Sequence, residues 1–324
     1  MGKNILTGLF IALVLVVVGA FAPAPAFSGV MPVGNNAEQV QITEFSVGEG
    51  PEAIAFDGTN IWVANQFSDT VTKLRASDGA RVGTYSVGNR PVALLFDGAN
   101  IWVANYLSNN VTKLRASDGK RLGTFTVGDG PGGLVSDGTN IWVANRKGNN
   151  LTRLRAEDGT SLGTFPTGTR PMSLAFDGAN IWVSNNLSND VTKLRASDGV
   201  ALGTYAVGKG PFGLAFDGAN IWVTNFFSKS VTKLQAGTGA TLGNFDVDDG
   251  PAGVIYAGGF IWVANTGSNS LTKVRPDDGA VLNTFRAGVS PYAVLFDGAN
   301  VWVANAGTGT VTKVSRSSAT SAVP

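Results

Sequence analysis

The chain of 324 residues contains 43 glycines, 9% aromatic residues and only 15% charged residues, a composition that favours short strands joined by tight turns. Cysteine and histidine are absent, which excludes disulfides, thiolate sites and the usual general base near neutral pH. Lysine plus arginine number 24 and aspartate plus glutamate 23. Because no cluster of positive charge accompanies this balance, we expect no nucleic-acid partner.

Residues 1–26 have the pattern of a secretory signal peptide. Lys3 precedes an apolar run from Ile5 to Ala22, and Ala24-Pro25-Ala26 supplies an Ala-x-Ala cleavage signal. The apolar run is also long enough to span a bilayer as an uncleaved anchor, the one case in which we expect membrane contact. We predict an extracytoplasmic protein, whether periplasmic, secreted or at the cell surface, with a flexible lead-in at 27–40.

A unit of 40 residues recurs seven times after the lead-in. Each unit carries one proline and one tryptophan at fixed positions. The prolines are Pro51, Pro91, Pro131, Pro171, Pro211, Pro251 and Pro291, and the tryptophans are Trp62, Trp102, Trp142, Trp182, Trp222, Trp262 and Trp302.

Each unit predicts four short strands, A to D. In the first unit these are Ala53 to Phe56, Ile61 to Ala64, Val71 to Arg75 and Val82 to Val87, with an Asp57-Gly58-Thr59-Asn60 turn between A and B. Strand B, Ile-Trp-Val-Ala, has no polar alternation, so both of its faces are expected to be buried. In a propeller each sheet is packed between two neighbouring sheets, so both faces of its inner strands are buried. The sequence therefore predicts an all-β, seven-bladed β-propeller with four antiparallel strands per blade.

The ends of the repeat predict how the ring closes. The seventh unit lacks strand D, because the chain continues into Ser317-Ser318-Ala319-Thr320, which we expect to begin a disordered tail at 317–324. A strand-D sequence instead precedes the first unit, at Ile42 to Val47. We predict that this N-terminal strand completes the last blade, within a propeller spanning 41–316.

The repeat resembles known families. Its Gly-x-x-Pro opening, Asp-Gly-x-Asn-Ile-Trp-Val-Ala-Asn centre and Val-Thr-Lys-Leu segment are similar to the YVTN family of β-propeller repeats, which implies an extracytoplasmic or cell-surface protein without indicating its activity. The units are also similar to those of streptogramin B lyases, seven-bladed propellers whose chemistry depends on histidine and magnesium. Because this chain has no histidine, that activity is not carried over.

Candidate binding residues lie where the copies differ, in the loops from strand D to the next A and from B to C, which leave a propeller on the same face. They combine charged and aromatic side chains, which fit the recognition of a protein or a glycan. The candidates are Glu49, Arg90, Asp129, Arg170, Lys209, Asp249, Phe67, Tyr106, Phe226, Phe227 and Tyr292, with Glu52, Met172, Phe212, Arg146, Lys147 and Lys229 beside them. The other explanation is a solvated rim of diverged repeats.

Three functions stay open from the sequence. The favoured one is a monomeric, non-catalytic binding or cell-surface scaffold with no cofactor, acting through the variable loops. The alternative is a metal-assisted lyase or lactone hydrolase at the mouth of the axial channel, with Asp129 or Asp249 helping to hold an oxygen-ligated divalent cation. The third is a subunit of a cell-surface array. The repeated Asp57-type residues are expected to cap turns and not to bind metal.

Overall fold

The computed structural model describes residues 29–30 and 40–316. The predicted signal peptide, all of the lead-in except 29–30 and 40, and the tail from 317 lie outside the described residues. Within the described part, no helix is long and apolar enough to cross a bilayer. Gly29–Val30 (β1), inside the stretch predicted as a flexible lead-in, forms a two-residue strand.

Six blades are consecutive four-stranded antiparallel sheets, with strands A to D in chain order. Blade 1 is β3 (Pro51–Phe56), β4 (Asn60–Asn65), β5 (Thr70–Arg75) and β6 (Arg81–Ser86). Blade 2 is β7 (Pro91–Phe96), β8 (Asn100–Asn105), β9 (Asn110–Arg115) and β10 (Arg121–Thr126). Blade 3 is β11 (Pro131–Ser136), β12 (Asn140–Asn145), β13 (Asn150–Arg155) and β14 (Ser161–Pro166).

The same pattern continues around the ring. Blade 4 is β15 (Pro171–Phe176), β16 (Asn180–Asn185), β17 (Asp190–Arg195) and β18 (Ala201–Ala206). Blade 5 is β19 (Pro211–Phe216), β20 (Asn220–Asn225), β21 (Ser230–Gln235) and β22 (Thr241–Asp246). Blade 6 is β23 (Pro251–Ala257), β24 (Phe260–Asn265), β25 (Ser270–Val274) and β26 (Val281–Arg286). The predicted strands are therefore confirmed, each displaced or extended by one or two residues.

Blade 7 joins the two ends of the chain, as predicted. It contains β27 (Pro291–Phe296), β28 (Val301–Asn305) and β29 (Thr310–Arg316), and its fourth strand is β2 (Val40–Ser46), with β1 on the outer edge. Phe45 lies opposite Val311 in the register of β2 and β29. The inner strand of every blade contacts that of the next, and β27 contacts β3, so the ring is closed.

The core consists of seven apolar clusters, each shared by two neighbouring blades. Trp62 of blade 1, for example, packs with Ile101 and Val103 of blade 2, and Trp302 of blade 7 packs with Ile61 and Val63 of blade 1. The tryptophans are fully buried in six blades and nearly so in blade 6. Burying one large ring per interface stabilises the contact between neighbouring blades.

An aspartate anchors each tryptophan except that of blade 6. Trp62 Nε1 donates to Asp57 Oδ2 at 2.8 Å, and the backbone N–H groups of Thr59 and Asn60 donate to Asp57 Oδ1. Burial disfavours the charged carboxylate, but these hydrogen bonds outweigh it and hold the pKa of Asp57 below its usual value. The predicted turn cap is thus confirmed, and it also satisfies a buried indole donor. In blade 6, Trp262 donates to the carbonyl oxygen of Ala257.

A buried cation links most neighbouring blades. Lys73 Nζ lies 4.8 Å from the ring centroid of Trp62 and donates to the carbonyl oxygen of Ala116 in blade 2 at 2.7 Å. Asp57 lies 3.9 Å from the same ammonium. Carbonyl, carboxylate and aromatic face together compensate a charge that burial would otherwise disfavour. Equivalent bonds to the next blade come from Lys113, Arg153, Lys193, Lys233 and Lys313.

Candidate functional site

The loops between strands D and A and between B and C lie on one face of the ring, here named the loop face. In blade 1 the N–H of Gln66 donates to the carbonyl oxygen of Gly50 at 3.0 Å, and that of Phe67 to Glu49 at 3.2 Å. The N–H of Glu49 in turn donates to Ser68 Oγ at 2.8 Å. Because this network recurs with small changes around the ring, the variable side chains project from a fixed backbone.

A β-bulge at the start of every inner strand directs one residue towards the axis. The register between strands A and B shifts just after the proline in all seven blades. A bulge of this kind re-aims the side chain of the extra residue. The seven bulge residues, here named the mouth ring, are Glu52, Val92, Gly132, Met172, Phe212, Ala252 and Tyr292.

An ion pair crosses the mouth of the channel between blades that are not neighbours. Arg146 of blade 3 reaches Glu52 of blade 1, with Nη1 3.5 Å from Oε1. Glu52 is only 6% exposed, and burial raises the pKa of its carboxyl, while the guanidinium groups of Arg146 and Arg90 offset part of that effect. Arg146 also donates to the carbonyl oxygen of Gly132 at 2.9 Å. A side chain at Gly132 would overlap Arg146 Nε.

Tyr292 of blade 7 completes this buried cluster. Its hydroxyl lies close enough to the carboxyl of Glu52 for each group to affect the pKa of the other. Burial, together with the carboxylate of Glu52, raises the pKa of the phenol far above its usual value, so Tyr292 is a neutral donor at any physiological pH. Side chains from blades 1, 3 and 7 therefore meet at the axis.

Cationic side chains from blades 2 to 4 form one side of the mouth, here named the cationic side. The ring of Tyr106 has three cations near its centroid: Lys147 Nζ at 4.9 Å, Arg90 Cζ at 5.3 Å and Arg146 Cζ at 5.8 Å. Arg90 Nε donates to Gln66 Oε1 at 3.2 Å. Arg170 is exposed and forms no ion pair with residues 40–316, and its charge offsets a small part of the rise in the pKa of Tyr292.

Aromatic rings from blades 5 and 7 form the opposite side, here named the aromatic side. Phe227 contacts Phe226 edge to face with centroids 5.2 Å apart, and Phe226 lies 6.3 Å from Phe212. Phe212 then meets Tyr292 edge to face at 5.2 Å. The rings thus form a continuous path from the rim of the loop face to its axis.

Four blades expose a large apolar side chain at the same position, the second residue of the B–C loop. These side chains, here named the rim residues, are Phe67, Leu107, Leu187 and Phe227, exposed by 64%, 55%, 58% and 66%. Blade 3 has Lys147 there, and blades 6 and 7 have Gly267 and Gly307. The ring of Phe67 lies against Gly50 and that of Phe227 against Gly210, where a Cβ atom would overlap them.

The structure changes the expected picture of a funnel lined by exposed aromatics. Phe67 and Phe227 are exposed, but Tyr106, Phe226 and Tyr292 are half-buried because they contact the cations and rings described above. Glu49, Lys209 and Arg170 are exposed.

Asp129 and Asp249, the candidates for a metal site, each contact a side chain of the neighbouring B–C loop. Asp129 accepts a hydrogen bond from Asn109 Nδ2 at 3.2 Å, and Asp249 lies 3.2 Å from Lys229 Nζ. Both carboxylates therefore engage the B–C loop of the preceding blade. In the part of the chain that the structure describes, no three acidic side chains lie close enough together to hold a metal ion.

The pair that organises the mouth was not among the main candidates. Glu52 and Arg146 belong to different units, and the 40-residue period does not relate them. One signal was available: the residue after each proline differs in every copy, although the proline itself never changes.

No protein-family model and no curated protein matches this chain. Among solved structures, a streptogramin B lyase structure aligns with a TM-score of 0.74 at 19% sequence identity, covering 85% of this chain and 97% of the other. Hydrazine synthase from Kuenenia stuttgartiensis aligns with a TM-score of 0.75 at 18% identity, covering 83% and 96%. At such identities the likeness shows the fold alone, and the chain is a seven-bladed β-propeller scaffold.

Proposed function

We propose that this chain is a non-catalytic, extracytoplasmic binding scaffold whose loop face docks a protein partner through the rim residues. The observation that carries the proposal is the repeated exposure of Phe67, Leu107, Leu187 and Phe227 at one equivalent position. Large apolar side chains held on a fixed backbone are typical of protein-binding surfaces. Leu107 and Leu187 favour a protein over a glycan, because an aliphatic side chain offers no flat face for a sugar ring.

Variation among the copies supports the same assignment. A scaffold needs identical packing residues, which the tryptophan and buried lysine positions supply in nearly every blade. The rim position instead holds phenylalanine, leucine, lysine or glycine. The loop face therefore offers apolar side chains on blades 1, 2, 4 and 5 and none on blades 6 and 7. A partner that contacts all four can bind in only one orientation around the ring.

The location rests on the sequence. The apolar run before Ala24-Pro25-Ala26 and the similarity of the repeat to YVTN units support export. A freely soluble monomer in the culture medium is the expected state. Detection only in an insoluble surface fraction would favour the array, and residues 1–26 in the purified protein would favour an anchor.

Selection of ligands from a displayed random-peptide library tests the proposed surface. The selected peptides should lose at least tenfold in affinity for the variant Phe67→Ser/Leu107→Ser/Leu187→Ser/Phe227→Ser. The matched control is Val82→Ser/Leu122→Ser/Leu202→Ser/Leu242→Ser, which removes four exposed apolar side chains from the outer strands and should bind normally. Two results would contradict a protein partner. One is that the selected peptides lose affinity only for the control variant, and the other is that only glycans, tested on an array, bind in a way that depends on the rim residues.

A further inference from the structure

We propose that the mouth of the axial channel is a binding site for a small organic anion with a flat apolar body, such as an aromatic carboxylate. The site consists of arginines from blades 2 to 4 and of Phe212, Phe226 and Tyr292, and it does not depend on the proposed docking of a protein at the rim residues. The inference rests on the two unlike sides of the mouth and on the backbone conformation of two arginines.

The charge at the mouth is unbalanced. Arg90, Arg146 and Arg170 contribute positive charges to the mouth, Lys147 lies beside them, and the mouth ring contributes one carboxylate, so positive charges outnumber negative ones. Arg146 is already paired with Glu52. Arg90 and Arg170 have no ion-pair partner among residues 40–316, and their charges are available to an incoming anion. Guanidinium groups bind carboxylates through two parallel hydrogen bonds.

The backbone at both arginines is strained. Arg90 and Arg170 have φ angles of 57° and 59°, in the left-handed region that favours glycine. The equivalent residue is glycine in blades 1, 3, 5 and 6 and serine in blade 7. Packing does not require a long side chain at this position, because glycine occupies it in four blades. Ser290 of blade 7 has the same conformation, with φ 53°, but only blades 2 and 4 keep a long charged side chain in it. Backbone strain retained together with a charged side chain is typical of a functional site.

The aromatic side of the mouth favours a ligand with a flat apolar body. Phe212 and Phe226 present partly exposed rings next to Tyr292, with Phe212 and Tyr292 edge to face at 5.2 Å. A planar ligand that stacks here places its anionic group towards blades 2 to 4. Val92, Met172 and Glu52 of the mouth ring are buried, and Glu52 is paired with Arg146, so the exposed groups of the mouth are the arginines and the rings.

Calorimetric titration of the full chain with 2-naphthoate at low salt tests the proposal. We expect saturable binding of one naphthoate per chain. Neutral 2-naphthylmethanol keeps the apolar body and sulfate keeps a negative charge, and each should bind at least about tenfold more weakly. Failure to saturate at millimolar naphthoate would overturn the proposal. Equal binding of either control compound would overturn the stated ligand class.

Variants locate the site. Arg90→Gly/Arg170→Gly should weaken naphthoate at least about tenfold and leave naphthylmethanol unchanged; glycine already occupies this position elsewhere, so the variant should fold. Phe212→Val, which introduces the residue of blade 2, should weaken both naphthyl compounds. The control Lys209→Ser/Lys229→Ser removes two exposed cations from the same face and should bind normally. Full binding by the arginine variant, or loss of binding only in the lysine variant, would contradict the assignment.

Discussion

Lys313 Nζ in the last blade donates a hydrogen bond of 2.9 Å to the carbonyl oxygen of Ala76 in the first blade. Its ammonium also lies 5.1 Å from the ring centroid of Trp302. The bond joins residues 237 positions apart in sequence, and the same bond between adjacent units recurs in blades 1 to 5. The contact that links successive copies is thus also the one that closes the ring.

Lys313→Met should lower the free energy of unfolding by about 1.5–3 kcal/mol, because methionine keeps the aliphatic packing and loses a charge-assisted hydrogen bond. Lys193→Met, between blades 4 and 5, should have a similar effect. Urea denaturation followed by tryptophan fluorescence measures both. A change below about 0.5 kcal/mol in both variants would mean that the buried cations do not stabilise the blade interfaces.

The closing strand can be tested by deletion. Removal of 1–39 keeps β2 and should leave cooperative unfolding intact. Removal of 1–46 deletes β2, leaves the edge of β29 unpaired and removes Phe45, whose ring lies 5.7 Å from that of Trp302. The longer deletion should lose more than about 3 kcal/mol or aggregate. Equal stability of the two proteins by circular dichroism and denaturation would show that β2 is dispensable.

Acid should destabilise the fold through the six aspartates that hold tryptophans. The pKa of each lies below its usual 3.8. The six carboxylates therefore contribute to the free energy of unfolding above about pH 4. This contribution is lost as the pH falls through the folded pKa values, because the unfolded chain binds more protons than the folded one in that range. The free energy of unfolding, measured between pH 2.5 and 5, should rise with pH, and less steeply in Asp217→Asn. An unchanged slope would contradict this explanation.

Gly132→Ala should break the ion pair at the mouth. The new Cβ overlaps Arg146 Nε, so the guanidinium must move away from Glu52. Ala252 occupies the equivalent position in blade 6, which shows that the backbone there accepts a Cβ. An unpaired buried carboxylate should cost about 3–5 kcal/mol at pH 7 and less at lower pH, where Glu52 is protonated. A loss independent of pH would assign the effect to backbone strain instead.

The sequence predicted those features that repeat. The fixed period located the strands, the buried tryptophans and the turn aspartates, and the missing strand D of the seventh unit predicted the pairing of Ile42 to Val47 with β29. Contacts between side chains of different units could not be predicted from the repeat. Glu52 meets Arg146 across the mouth, and half-buried Tyr292 contacts residues of blades 1 and 5. The residue pattern of the strand that contains Lys73 does not reveal that its ammonium donates to a carbonyl oxygen of the next blade.

The location of the docking surface is tested most directly by hydrogen exchange, measured by mass spectrometry with and without a library-selected peptide. The account predicts slower exchange in the rim loops 66–69, 106–109, 186–189 and 226–229, with no change in the turns 76–80 and 116–120, which join strands C and D. Protection confined to those turns, or to the outer strands β6 and β10, would contradict a partner-binding surface on the loop face.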